Sequence, residues 1–529
     1  MQYFVPAWYQ EGSWMENEQV WYRSRAVTEF DDTVKQVQLF FRRHVAPFRI
    51  LLLSFSPNFR HFLHRQGVYH APYWSCFDAM QGIRSHAMRL FSFHDLAWPA
   101  DVEFVYSPFA VLALRGDELY AKVEFAEDGN MFRVDLYREG LIASTNLYDD
   151  RGFVSCEIAY RDGAPARERY FDPEGVWKFA RYLSDGHVVV NPQSAWYLQG
   201  TGDDAEKVPY RAQRYGSIED MIAEVLARQL SRTAPDDVFM VAMHERHSAV
   251  LARVLAGRPK VLSFFERRNA SRALSEAGRA LVRDAVCVVA DKRLTASRIE
   301  PIAREARVPL RVITPYETRV EFGESQRLHV QNVLVAADAL DDARFDAAVV
   351  ALARYIVEHN RQARVCLFTR SARYEARADL FARAQAALSA AGLDPAMAGS
   401  PRGVSENDSE DEAFANVVSV AQCVDELHVN RAIREQRVVV DLSEAPDQFL
   451  QIQAMSLGIP QVTIRETEYV VDGKNGKVLA DPADLVPAVD YYLASVEHFN
   501  EAQIASYDLG GRFTADKLVA AWKEVISIG

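Results

Sequence analysis

Residues 448–476 read QFLQIQAMSLGIPQVTIRETEYVVDGKNG, and this stretch decides the fold prediction. A helix-forming run ends on Gly458 and Pro460, and the pattern Glu-x-x-x-Asp-Gly-x-x-Gly follows from Glu468 to Gly476. The last five residues alone, Asp-Gly-Lys-Asn-Gly, would be an ordinary tight-turn sequence. The prediction therefore depends on the order and spacing of the residues in the whole stretch.

The stretch resembles the donor-binding region of retaining glycosyltransferases of the GT-B type, which are built from two Rossmann domains. In those enzymes the helix carries a Glu, and a second acid stands eight positions earlier. Here Gln453 occupies the helix position and Ala445 the earlier one. Glycosyl transfer moves charge onto the leaving phosphate, and removing one positioned group typically costs about 3–4 kcal/mol of barrier lowering. The resemblance therefore implies a GT-B frame with no catalytic residues.

The same resemblance implies a degenerate donor cleft. Its expected residues are Ala445, Gln453, Glu468, Gly473, Asn475 and Gly476. Donor-binding members usually carry Gly-Arg and then Lys at the start of the second domain, whereas this chain has Ala-Asp-Ala-Leu at residues 337–340, with Arg344 as a lone substitute. Asp338 would repel a diphosphate. Like the missing acids, this residue argues against binding of a sugar-nucleotide donor.

One alternative stays open within this stretch. Glu444 lies one residue from the expected first acid, and Glu466 and Glu468 lie close by in sequence. A shifted set of acids would make the chain an active retaining glycosyltransferase.

Composition excludes several classes of protein. The chain has 529 residues, 49% of them hydrophobic, which favours two to four globular domains. Its formal net charge of −13 argues against a nucleic-acid partner, because such partners are bound by basic patches.

The cysteines and the first residues indicate the cellular compartment of the protein. The five cysteines are far apart and never form a C-x-x-C pair, which favours buried thiols over disulfides or a metal site. The first residues lack the basic and apolar regions of a signal peptide. No apolar run approaches the ~20 residues that span a bilayer. We expect a cytoplasmic protein with no cofactor, whose membrane contact is peripheral at most.

The pattern along the chain predicts an α/β fold of two Rossmann-type domains, with an antiparallel β-meander inserted in the first. The GT-B resemblance implies that the two domains face a cleft. Between residues 102 and 212, turn glycines recur about every twelve residues and separate segments of alternating polarity, which is typical of antiparallel strands. The expected units are 1–101 and 213–325 for the N-terminal domain, 102–212 for the meander, 326–505 for the C-terminal domain, and 506–529 for a terminal helix that crosses back.

Two interpretations of the meander are open. Long strands with one apolar face need a covering surface, so the meander is a candidate for protein or polypeptide recognition. It could equally pack on its own chain or on a second copy.

His244 and His247 are candidates for the cleft lining, because their segment lies where a strand should end and a helix begin. Only two residues separate them, so they do not form the H-E-x-x-H zinc pattern, and no metal site is expected.

Further motifs resemble one family, the first accessory secretory proteins of Gram-positive bacteria. They are residues 3–9 (YFVPAWY), 29–34 (EFDDTV), 59–66 (FRHFLHRQ), 73–81 (YWSCFDAMQ) and 466–470 (ETEYV). The resemblance implies a GT-B-like protein without glycosyltransferase activity that assists export of glycosylated serine-rich repeat adhesins. It also implies a complex with the second and third accessory secretory proteins and cooperation with the accessory motor ATPase. The alternative is an active glycosyltransferase that modifies the same adhesins.

Overall fold

The computed structural model describes residues 1–17, 29–85, 87–269, 273–321, 323–400 and 416–528. These residues form two parallel sheets, one large antiparallel sheet and a small hairpin sheet. The acidic segment 406–412, which the sequence suggests is a solvated surface loop, lies outside the described residues.

The first parallel sheet belongs to the N-terminal domain. Its strands are β1 (Gln2–Val5), β2 (Phe48–Leu52), β3 (Tyr73–Ser75), β16 (Val238–Ala242), β17 (Lys260–Phe264), β18 (Cys287–Ala290) and β19 (Leu310–Val312). They lie in the order β19-β18-β17-β16-β1-β2-β3. Strands β16, β17 and β18 are buried along their whole length, as expected when helices cover both faces of a parallel sheet.

Eight described helices accompany this sheet. They are α1 (Asp32–Arg43), α2 (Phe59–Arg65), α3 (Cys76–Gln81), α4 (Ile218–Leu230), α5 (Glu245–Val254), α6 (Glu266–Asn269), α7 (Glu276–Arg283) and α8 (Arg293–Ala306). Helix α4 has the bounds that the sequence predicts, because Ser217 caps it by accepting a hydrogen bond from the Asp220 backbone N–H.

The antiparallel sheet is the predicted meander. Its strands are β4 (Val102–Tyr106), β5 (Val111–Arg115), β6 (Glu118–Phe125), β7 (Met131–Arg138), β8 (Leu141–Asp149), β9 (Phe153–Arg161), β10 (Ala164–Phe171), β11 (Trp177–Tyr182), β12 (Val188–Val190) and β15 (Arg214–Tyr215). Strands β4 to β12 follow each other in space as in sequence, and β15 closes the far end. The sheet therefore reaches just beyond the expected end at residue 212. Strands β13 (Trp196–Gln199) and β14 (Glu206–Pro209) form the separate hairpin.

A buried ionic network joins the meander to the N-terminal domain. Arg60 of α2 contacts Asp150 (Nε–Oδ1 2.5 Å) and Asp149 (Nη2–Oδ1 3.1 Å) at the β8–β9 turn. Arg151 contacts the same Asp149 (Nε–Oδ1 2.6 Å) and Asp78 of α3 (Nη2–Oδ1 2.8 Å). Removing one partner of such a buried pair typically costs about 3–5 kcal/mol, so the network holds the meander in a fixed orientation.

The second parallel sheet belongs to the C-terminal domain. Its strands are β20 (Gln331–Ala336), β21 (Ala363–Thr369), β22 (Val418–Gln422), β23 (Gln436–Asp441), β24 (Gln461–Thr463) and β25 (Gly476–Val478), in the order β22-β21-β20-β23-β24-β25. Its described helices are α9 (Asp342–Glu358), α10 (Ala376–Ala390), α11 (Glu426–Arg434), α12 (Gln448–Ser456), α13 (Leu485–Leu493) and α14 (Val496–Gly510).

The last helix, α15 (Ala515–Ile528), packs on the N-terminal domain. Trp522 is 2% exposed, and its ring centroid lies 6.1 Å from that of Phe40 in α1. Leu518 and Val525 join the same core as Phe4 of β1. Residues 506–510 belong to α14, so the terminal helix begins later than the expected residue 506.

Candidate functional site

A small cavity of about 180 Å³ lies where the carboxyl ends of the two parallel sheets face each other. Doubly wound α/β proteins bind ligands at this edge. The cavity is lined by residues that follow strands of both sheets, among them Asp291, Lys292, Ala337, Asp338, Arg370, Ala445, Asp447 and Gln448. Pockets for small ligands typically measure about 300–1,000 Å³, so this cleft is narrow.

The two positions where acids are expected line different pockets. Ala445 lines the small cleft, whereas Gln453 lines a second pocket of about 650 Å³, formed with α1, α11 and the segment 315–321. There Gln453 accepts a hydrogen bond from the Asn430 side chain at 3.4 Å. Phe449 contributes to both linings. The expected degenerate cleft is therefore two separate pockets in this chain, with Phe449 of α12 between them.

Three carboxylates that line the cleft are engaged by the protein itself. Asp291 Oδ2 accepts a hydrogen bond from the Glu266 backbone N–H at 3.1 Å, and burial raises the pKa of Asp291 to about 6. Burial also raises the pKa of Asp441, which accepts hydrogen bonds from Ser443 and from the Asp447 backbone N–H. Burial opposes ionisation of Asp447, but Arg370, at 2.6 Å, acts together with Arg267 and the Leu450 backbone N–H to hold the pKa below its usual value. Asp291 and Asp447 were not singled out by the sequence motifs, although each follows the carboxyl end of a predicted strand.

Gln448 connects the two domains across the cleft. Its buried Nε2 lies 2.8 Å from the Asp291 carbonyl oxygen, 2.7 Å from the Tyr469 hydroxyl and 3.2 Å from Thr314 Oγ1. Asp291 and Thr314 belong to the N-terminal domain, whereas Gln448 and Tyr469 belong to the C-terminal one. Gln448 was not predicted as a site residue, although its position at the start of α12 was an available signal.

Two more hydrogen bonds cross the cleft. Lys292 Nζ donates to the Pro446 carbonyl oxygen at 3.2 Å. Glu468 Oε1 accepts from the Arg293 backbone N–H at 2.9 Å, at the first residue of α8. A carboxylate is stabilised at a helix N-terminus, where N–H groups are unpaired. Glu468, expected in the donor cleft, thus fastens one domain to the other.

Asn475 shapes the loop between β24 and β25. It is 1% exposed, accepts from the Val471 backbone N–H at 2.9 Å and donates to the Tyr469 carbonyl oxygen at 2.8 Å. Its amide is therefore fully used inside the loop.

The two loop glycines also meet local requirements. Gly473 has φ +67° and donates its N–H to the Gly476 carbonyl oxygen at 3.0 Å. Gly476 begins β25, and a Cβ there would lie 2.3 Å from the Gln461 carbonyl oxygen. The loop closes on itself, and its glycines are explained without a ligand phosphate.

The altered start of the second domain is likewise satisfied internally. Asp338 accepts from the Arg370 backbone N–H at 2.7 Å and from the Thr369 hydroxyl. Arg344, the expected substitute for a diphosphate-binding base, donates to Glu444 at 2.8 Å. Arg344 is not part of the cleft lining.

His244 and His247 do not line the cleft cavity. His247 is completely buried, with Nδ1 3.0 Å from the Tyr9 hydroxyl and Nε2 2.8 Å from the Ala242 carbonyl oxygen. His244 caps α5 by accepting from the Arg246 backbone N–H at 3.0 Å. The expectation of a cleft-lining role is wrong for His247, because its ring points into the core instead.

Neither a metal cluster nor a membrane-spanning helix is present in the described part of the chain. Within the described residues, no group of three or more His, Cys, Asp or Glu is placed to hold a metal ion, and no helix is long and apolar enough to cross a membrane. All five cysteines are free, as their spacing predicts, and burial raises the pKa of each thiol.

Comparison with known proteins extends over the whole chain. The family model of accessory Sec system protein 1 matches residues 1–527. A curated relative of that name from Streptococcus gordonii is 29% identical, with 99% of this chain and 98% of the relative covered. Another from Staphylococcus aureus (strain NCTC 8325 / PS 47) is 27% identical, with 99% of both covered.

Solved structures agree with this match. A chain of the glycosylation-associated protein (Gap123) complex of Streptococcus agalactiae has a TM-score of 0.79 at 26% identity, covering 98% of this chain and 99% of its own. A chain of the structure of accessory secretory proteins 1, 2 and 3 of Streptococcus pneumoniae has a TM-score of 0.77 at 26% identity, covering 100% and 99%. A chain of the GtfA/B complex, at 12% identity, a TM-score of 0.68 and 99% coverage of both chains, shares the fold. The predicted GT-B-like fold is confirmed, and the chain belongs to the accessory Sec system protein 1 family.

Proposed function

We propose that this chain is a non-catalytic, glycosyltransferase-like scaffold that assists export of glycosylated serine-rich repeat adhesins. One observation carries the proposal: hydrogen bonds of the protein with itself cross the cleft between the Rossmann domains. Gln448, Lys292 and Glu468 each make a hydrogen bond across it. Glu468, which the resemblance places in a donor cleft, is therefore already bonded to the N-terminal domain.

The available acids support the same view. Glu444, the nearest candidate for a shifted catalytic acid, accepts from Arg344 at 2.8 Å and from Arg465 at 2.7 Å. These hydrogen bonds lower its pKa. Glu468 is bound to the N-terminus of α8, and Glu466 is exposed and outside the cleft lining. Among the residues that the structure describes, none of these three acids makes a contact that favours the alternative of an active glycosyltransferase.

The proposed partners are the second and third accessory secretory proteins. Support comes from the solved complex of proteins 1, 2 and 3, whose chain resembles this one along its full length. The accessory motor ATPase and the adhesin itself are further proposed partners, in a cytoplasmic assembly that touches the membrane only peripherally. The domain bounds 1–101, 102–212, 213–325, 326–505 and 506–529 serve as the working division for truncation experiments.

The test combines calorimetric titration with a panel of nucleotide sugars and a donor-turnover assay on the same sample. We expect neither binding nor turnover from the folded wild type. The double variant Ala445→Glu, Gln453→Glu should also be inactive, because the two positions line different pockets. Turnover by the wild type would refute the non-catalytic function.

Assembly is tested separately by mixing the chain with its two proposed partners and measuring the molar mass by light scattering. A stable ternary complex is expected. If the three purified proteins stay separate at micromolar concentration, the scaffold function is wrong.

A further inference from the structure

The two ends of the ten-stranded sheet differ. At one end β15 is anchored to the N-terminal domain, because the Tyr215 hydroxyl donates to Glu224 of α4 at 2.6 Å. At the other end β4 pairs with β5 only. The sheet thus has one end held by the chain and one edge that no described strand covers.

The backbone of β4 offers hydrogen-bonding groups at this edge. The Ser107 N–H donates to the Ala110 carbonyl oxygen at 3.0 Å, on the side of β5. Successive residues of an antiparallel strand point their N–H and C=O groups to opposite sides. Phe104 and Tyr106 therefore direct theirs away from β5, where another strand could pair with them.

The side chains make the edge apolar and firm. Val105, Tyr106 and nearby Phe109 are 46%, 64% and 54% exposed. Phe104 is held by the rings of Phe93 and Trp98, at centroid distances of 5.2 and 5.5 Å. Edge strands are usually protected by charged residues, proline or a bulge, and within its own five residues β4 has one charge, Glu103, but no lysine, proline or bulge.

Charge narrows the choice of partner. Glu103 is exposed on β4 and has no ion-pair partner among the described residues. Asp117 in the neighbouring β5–β6 turn and Glu118 at the start of β6 are also exposed. Asp101 is neutralised by Arg115 at 2.7 Å. The edge is therefore acidic as well as apolar, and it complements an extended segment with apolar side chains and a basic residue. A second copy of β4 would bring another acidic strand instead.

We propose that β4 is the docking edge for an extended, basic-apolar segment of a partner protein, which adds an eleventh strand to the sheet. The proposal rests on the scaffold function above and names the surface that would serve it. Main-chain hydrogen bonds to Phe104 and Tyr106 would supply binding, and contacts with Val105 and Glu103 would supply selectivity.

The experiment measures the affinity of the whole chain for the purified second and third accessory secretory proteins. Val105→Lys and Tyr106→Pro should each weaken binding at least tenfold. Proline at 106 removes an outward N–H, so pairing with β5 is kept. The matched control is Val176→Lys, at a residue 41% exposed in the turn before β11, which should bind within twofold of wild type. Circular dichroism confirms that each variant is folded.

Amide hydrogen exchange provides an independent measurement. The amides of Phe104 and Tyr106 should exchange more slowly in the complex than in the free chain. If a complex forms but these amides stay unprotected and Val105→Lys binds like wild type, the docking edge is wrong while the scaffold function stands. If wild type forms no complex, the scaffold function itself fails. Self-association of the chain that Val105→Lys abolishes would also overturn the proposal, because the occupant would be a second copy.

Discussion

At the scale of single residues, His247 predicts how stability depends on pH. Burial and the neighbouring His244 lower its pKa from the ordinary 6.5 to about 3. Between these values the unfolded chain takes up a proton that the folded protein does not, so acidification favours unfolding. When the pH falls from 7 to 5, His247 should lower the free energy of unfolding by about 2 kcal/mol.

Urea unfolding of wild type and His247→Gln at both pH values measures this contribution. The variant should be less stable at pH 7 but should lose about 2 kcal/mol less than wild type on acidification. Equal losses in the two proteins would contradict a neutral, buried His247.

The glycine loop makes a second prediction at this scale. Gly476→Ala should destabilise the protein by roughly 1–3 kcal/mol, because the new Cβ meets a backbone carbonyl at 2.3 Å. Gly473→Ala is the matched control, since nothing lies within 4 Å of its Cβ and only the positive φ opposes it. It should cost roughly 1–2 kcal/mol at most. Chemical denaturation compares them, and a larger loss for Gly473→Ala would show that the loop packs differently.

At the scale of elements, helix α12 is expected to hold the domains together through Gln448 rather than Gln453. Gln448→Ala removes a buried amide with partners in both domains and should cost roughly 1–3 kcal/mol. Gln453→Ala, on the same helix, loses one weak contact of 3.4 Å and should cost less than about 0.5–1 kcal/mol.

Small-angle scattering of the two variants checks the geometric part of this prediction. Gln448→Ala should increase the radius of gyration relative to Gln453→Ala, because one cross-domain tie is lost. If both variants unfold at the same urea concentration and scatter alike, Gln448 does not hold the cleft closed.

The elements themselves were predictable where the local signal was strong. The sequence pattern predicts a strand at 260–264 and a helix at 218–230, and both have these bounds in the structure. Every predicted turn glycine from Gly116 to Gly175 separates two consecutive strands. Strands β24 and β25 were missed, since three residues are too few to show a period. Gly476 therefore looked like part of a ligand loop, whereas it pairs with Gln461 in the sheet.

The site was less predictable than the fold. The loss of acids at 445 and 453 was visible in the sequence, but which pocket each residue lines depends on how α12 is placed. The N-terminal-domain partners of Glu468 and Gln448 lie more than a hundred residues away in the chain. Local pattern carries no information about such contacts.

At the scale of the whole molecule, α15 ties the end of the chain to its beginning. Trp522→Ala should destabilise the protein by about 3–5 kcal/mol, because a large buried ring is removed from the core shared with α1. Lys523→Ala, at the next and exposed position, should stay within about 0.5 kcal/mol of wild type. Differential scanning calorimetry tests this pair, and similar melting temperatures would mean that α15 does not support the N-terminal domain.

The ionic network at the β8–β9 turn fixes the position of β4 relative to the Rossmann domains. Strands in a sheet are spaced about 4.7–4.9 Å apart, so the ten strands from β15 to β4 extend over about 43 Å. Arg60 and Arg151 hold the middle of this sheet through their ion pairs, so the sheet does not rotate freely relative to the N-terminal domain. The sheet is therefore a rigid spacer. A strand that pairs with β4 stays at a set distance from the Rossmann domains, independently of any sugar binding by those domains.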